Sequence, residues 1–61
     1  LKTYTFYIDD DRYSVPSLDA VSAADDSEAV ITARARLAES PHYRAIEVWD
    51  DERQVAKIGR E

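Results

Sequence analysis

The chain has 61 residues, room for one domain and little more, and a fold of that size buries only about 60% of the surface its unfolded chain exposes. Its Asp and Glu number 13 against 8 Lys and Arg, and the net charge of −5 opposes contact with phosphate backbones or anionic lipid. It contains no cysteine, which removes disulfides, thiolate metal sites and cysteine nucleophiles from consideration and makes a reduced cytoplasm the expected compartment.

No apolar run approaches the roughly 18 residues of a membrane span, and the start Leu1-Lys2-Thr3-Tyr4 does not read as a signal peptide. Charged residues make up 34% of the chain and the mean hydropathy is −0.55, values that lean toward disorder. The apolar residues nevertheless fall in short periodic runs, and one Gly with two Pro is too few for a linker. A folded domain is expected over residues 1–61.

The first element is Thr3-Tyr4-Thr5-Phe6-Tyr7-Ile8. It alternates Tyr4, Phe6 and Ile8 on one face with Thr3, Thr5 and Tyr7 on the other, and every residue is β-branched or aromatic. Asp9-Asp10-Asp11-Arg12 supplies turn formers, and Tyr13-Ser14-Val15 resumes as a second strand, so a hairpin is predicted over residues 2–15. Pro16 cannot donate to a ladder, which makes that strand an edge or bulged one, with a strand extension over residues 18–23.

Asp25, with Glu28 three residues later, has capping-box spacing. The Ala-, Arg- and Glu-rich stretch that follows lacks Gly and Pro until Pro41, so a helix is predicted over residues 26–39. At about 100° per residue, Ala29, Val30, Ala33 and Leu37 share one side. Arg34 lies beside Val30 and Leu37, where its aliphatic stem is expected along the core edge. Ile31 points toward the polar side and is a candidate contact with another chain.

A second hairpin is predicted over residues 44–59 from Ala45-Ile46-Glu47-Val48-Trp49 and Gln54-Val55-Ala56-Lys57-Ile58. A loop of Asp51-Glu52 sets Trp49 opposite Gln54 and Val48 opposite Val55, whereas a three-residue loop sets Ile46 opposite Ala56. The order strand, strand, helix, strand, strand predicts an α+β fold: ββαββ, one antiparallel sheet of about four strands with a single helix on one face. Val30 and Leu37 would pack on Phe6, Ile8, Ile46 and Val48. The uncovered face would carry Tyr7, Thr5, Glu47 and Trp49.

The inventory of reactive groups predicts no enzyme and no cofactor. His42 is the sole histidine and sits in a connection, no Ser has a nucleophile setting, and the single Gly, at position 59, permits no phosphate-cradling loop. Asp9-Asp10-Asp11 and Asp50-Asp51-Glu52 lack the alternating ligands, central Gly and distal Glu of a calcium loop, so no metal site is expected. Aromatics on an open sheet face are used by some RNA-binding modules, but those add a basic surround that this chain does not have. The expected role is therefore recognition of a protein partner or homodimerisation through Tyr7, Trp49, Thr5, Glu47 and Ile31, with neither nucleic acid nor membrane as partner. A small-ligand-binding module is the other reading left open by the residues.

Two resemblances add to this. Tyr4 to Tyr7, then Asp25, Asp26 and Ala29, then Ile46-Glu47-Val48-Trp49-Asp50 with Arg53, Val55, Ala56 and Ile58, resemble a family of short, mostly alphaproteobacterial proteins of unknown function. That resemblance covers almost the whole chain and implies no activity. Asp51-Glu52 stands where many of those proteins have Gly. The front half, Tyr4-x-Phe6-x-Ile8-Asp9, Tyr13-x-Val15-Pro16 and Asp26-Ser27-Glu28-Ala29, is similar to the HicB-type antitoxin domain, which implies a partner toxin neutralised in an acidic complex. Pro16-Ser17-Leu18-Asp19-Ala20 stands in place of that domain's Pro-Asp-Leu-Pro-Gly stretch.

Overall fold

The computed structural model describes residues 1–60. The elements run β1 (Lys2–Asp10), β2 (Ser17–Ala23), α1 (Asp26–Leu37), β3 (Tyr43–Asp50) and β4 (Arg53–Gly59). The strands form one antiparallel sheet in the order β2-β1-β3-β4, and the helix lies on one face of it. This is the ββαββ, α+β arrangement expected from the residue pattern. Among the described residues, no helix is long and apolar enough to cross a membrane.

Strand β1 is central because both its edges are paired, one to β2 and the other to β3. Its alternation sends Tyr4, Phe6 and Ile8 under the helix, where they are joined by Ile46, Val48, Ile58 and Ala23. The helix contributes Ala29, Ala33 and Leu37. Ala29 and Ala33 are fully buried, so the contact stripe of the helix runs through them to Leu37. Val30 is half-buried, and Arg34 is exposed rather than laid along the core edge.

The helix starts as its first residues predict. Asp25 is the N-cap, accepting from the Glu28 N–H at 2.9 Å, while the Glu28 carboxylate reaches back to the Ala24 N–H at 3.0 Å. The α-helix ends at Leu37, two residues before the predicted limit, with Ala38 as C-cap. The Arg60 guanidinium closes that end by donating to the carbonyls of Leu37, Ser40 and Tyr43. Carbonyls in the last turn of a helix lack intrahelical donors, and Arg60 supplies one to Leu37.

The first hairpin differs from the prediction. Residues 13–15 are not a strand; the partner of β1 is Ser17–Ala23, paired from Lys2↔Ala23 to Ile8↔Ser17. Asp10 is the cause. It continues the inward alternation of β1 and is only 3% exposed, so its carboxylate requires partners. Arg12 supplies them, with its backbone N–H at 2.9 Å, Nε at 3.0 Å and Nη2 at 2.7 Å. The Tyr13 N–H then donates to the Asp10 carbonyl at 3.1 Å, closing a turn that directs the following residues off the sheet. Pro16 lies just before the strand, where its missing N–H costs no ladder bond.

In the second hairpin Asp50 pairs with Arg53 and Trp49 with Gln54, so Asp51-Glu52 is a two-residue loop. Beyond it the register shifts, so that Val48 faces Ala56 rather than Val55, and Ile46 faces Ile58. The extra residue, Val55, bulges toward the core beside Ala56. Asp51 adopts φ 56°, the left-handed region, which Asp tolerates better than most residues.

Candidate functional site

The face away from the helix is built of rows in register across all four strands. One row reads Leu18↔Tyr7↔Glu47↔Lys57 and the next Ala20↔Thr5↔Trp49↔Gln54. Four of the five predicted residues, Thr5, Tyr7, Glu47 and Trp49, are thus brought together. The fifth, Ile31, is 67% exposed on the helix and is not part of this surface.

Tyr7 and Trp49 sit diagonally on adjacent strands, with ring centroids 6.1 Å apart and planes at 63°, an edge-to-face pair. The Trp49 indole N–H donates to Glu47 Oε1 at 3.0 Å, and the Gln54 amide reaches the same oxygen at 3.4 Å. Trp49 is therefore clamped and half-buried, while Tyr7 is 37% and Leu18 65% exposed. The outward aromatic surface lies more on the Tyr7 side than on the indole.

At the Asp9 end this face is not flat. The β1–β2 connection folds over it, and Tyr13, Ser14 and Pro16 wall a cavity of about 400 Å³ floored by Tyr7, Ala45 and Glu47. Arg44 and Asp9, which also line it, pair at 2.9 Å, so this guanidinium is held in its charged form. Lys57 completes the lining. Tyr13, Leu18, Arg44 and Lys57 were not among the predicted residues. The bulge that leaves Arg44 unmatched in β3, between Ala45 and Tyr43, has no signature in the residue pattern.

The opposite end carries a charge cluster on the helix side. Asp26, in the first turn of α1, accepts from the Tyr4 hydroxyl at 2.7 Å and from Arg53 at 3.1 Å. Asp50 bridges Arg53 at 3.0 Å and Lys2 at 2.6 Å. Arg53 and then Tyr4 hold the Asp26 carboxyl below its ordinary range, and Lys2 and then Arg53 do the same for Asp50. Every charge in this cluster has a partner, which is the arrangement of a structural clasp. His42 faces Asp11, Nδ1 to Oδ1 at 3.0 Å, in the connection at the far end. Among the described residues, no three His, Cys, Asp or Glu side chains are grouped to hold a metal ion.

Comparison with known proteins finds no family model, no curated protein and no solved structure that matches this chain.

Proposed function

We propose that the chain is a non-enzymatic interaction protein that docks on another polypeptide through the sheet face its helix leaves uncovered. The observation that carries this reading is the apolar surface on that face. Leu18 and Tyr7 lie side by side in register, Trp49 backs Tyr7, and Tyr13, at 59% exposure, borders them. Exposed aromatic and aliphatic side chains grouped in this way mark docking surfaces. The charge balance of −5 favours a polypeptide over a phosphate backbone as the partner.

A photo-crosslinking residue placed at Thr5 tests the reading inside cells, with the same residue at Arg34 on the exposed helix surface as the control. Covalent adducts of defined protein mass are expected from position 5 and not from position 34. Equal adduct patterns from both positions, or none from position 5, would sink it.

The cavity beside Tyr13 favours a second reading, a module for a small ligand, since a volume of about 400 Å³ lies within the range of small-molecule sites. A metabolite that raises the melting temperature of the wild-type chain but not of a Tyr13→Ala variant would establish it.

A further inference from the structure

The two edges of the sheet are built differently. Strand β4 carries the bulge at Val55 and the charged side chains Arg53 and Lys57, features that block the addition of another strand. Strand β2 lacks a bulge and a basic side chain, and its one inward-facing charge, Asp19, is matched by Arg36 of the helix. It pairs with β1 over seven positions without a register shift, and it contains no Lys, Arg or Pro. Its outer edge therefore presents a regular row of backbone donors and acceptors, groups that pair wherever a strand is offered.

Charge is also withdrawn from this part of the chain. Residues 13–24 contain a single charged side chain, Asp19, although 34% of the whole chain is charged. Asp19 is itself paired with Arg36 of the helix. Ser17, Ala20 and Ser22 are small, and Val15 and Leu18 stand 69% and 65% exposed on or beside the strand. Depletion of charge distinguishes the centre of an interface from the rest of a protein surface.

We infer that β2 pairs antiparallel with β2 of a second copy about a two-fold axis at Ala20, joining two sheets into one of eight strands. This goes beyond the face-docking reading above, because the joint uses the edge of β2 and leaves the Tyr7–Leu18 face free. Strand β2 is self-complementary in that register: Leu18 faces Ser22 of the second copy, Asp19 faces Val21, and Ala20 faces Ala20, so no like charges are opposed. Centring the pair on Asp19 instead would set two carboxylates opposite each other, which is unfavourable. Because the axis is perpendicular to the sheet, both helices lie on the same side. The two Tyr7–Leu18 surfaces then form one continuous face.

Sedimentation equilibrium of the wild-type chain, of A20K, of A20D and of their equimolar mixture tests the joint. Position 20 is exposed in the single chain, so both variants keep the fold, which far-UV circular dichroism checks. The wild-type chain is expected at twice 6.9 kDa. Each variant alone should self-associate more weakly, by roughly fivefold or more, because identical charges meet at the axis. The mixture should recover the dimer through a Lys–Asp pair. A wild-type chain that stays monomeric, or variants that dimerise as well as wild type, would overturn the joint. In the first case heterologous adducts from position 5 would keep the interaction reading standing. In the second, the dimer itself would support that reading with a different contact.

Discussion

The Tyr4 hydroxyl donates to Asp26 Oδ1 at 2.7 Å, tying a fully buried residue of the central strand to the first turn of the helix. It is a bond between elements 22 residues apart, and it sits where the aromatic core gives way to the charged clasp of Asp26, Arg53, Asp50 and Lys2. Tyr4→Phe keeps the ring and removes the bond. Urea denaturation should show a loss of about 1 kcal/mol, the usual net worth of one hydrogen bond. An unchanged midpoint would mean that Asp26 is held by Arg53 alone.

Acid should unfold the protein through its paired carboxylates. The Arg12 hydrogen bonds hold the Asp10 carboxyl at about 2, and Asp26 and Asp50 are also depressed by their basic partners. A carboxyl whose pKa is lower folded than unfolded adds stability at pH values above its unfolded pKa, near 4. That stability is lost as pH falls from there through the folded value. The urea midpoint should therefore be flat from pH 7 to 5 and decline from about pH 4 toward 2. Asp10→Asn should lower it at pH 7 and make the acid decline shallower.

Asp51 marks a place where a substitution stabilises. Its φ of 56° is a conformation Gly adopts without cost and β-branched residues resist. Asp51→Gly should raise stability by roughly 0.5 kcal/mol, relief of the backbone being partly offset by the greater freedom of the unfolded chain. Asp51→Val should lower it by about 1 kcal/mol or more. Thermal melts of the two variants, displaced in opposite directions from wild type, check both.

Arg60 should prove structural. Its guanidinium serves the carbonyls of Leu37, Ser40 and Tyr43 together, so Arg60→Met leaves the helix end without its donors. The expected result is faster amide exchange at Ala38, Glu39 and Tyr43, whose N–H groups bond within that turn, with rates in β1 little changed. Protection equal to wild type at those three amides would contradict the capping role.

The parts of the fold legible in the residue pattern are those set by local periodicity and local chemistry. The alternation of Tyr4, Phe6 and Ile8 and the Asp25 cap are of this kind, and so is the grouping of Thr5, Tyr7, Glu47 and Trp49, whereas the pattern leaves the register of the second hairpin open between two loop lengths. The same alternation, continued one step, would have placed Asp10 inward and demanded a cation close by; Arg12 stands two residues on. Tyr13-Ser14-Val15 reads as a strand when strand propensity is weighed without regard to where Asp10 must find partners. The cavity was not legible, since it depends on how that connection lies over the sheet. The order β2-β1-β3-β4 was not legible either, because which hairpin edges meet is decided by long-range packing.

That meeting of edges has a kinetic consequence. Pairs β1–β2 and β3–β4 are hairpins closed by short connections, whereas β1–β3 joins residues as far apart as Thr5 and Trp49. Hairpins form in about 1–10 μs, but contacts distant along the chain bear the entropy of closing everything between them. The seam where Phe6 meets Val48 and Ile8 meets Ile46 is thus the step expected to set the folding rate. In stopped-flow experiments Val48→Ala should slow refolding, while truncation at Val21 on the outer strand should chiefly hasten unfolding. Such a result would mean that the time the chain takes to fold is the time its two hairpins need to find each other.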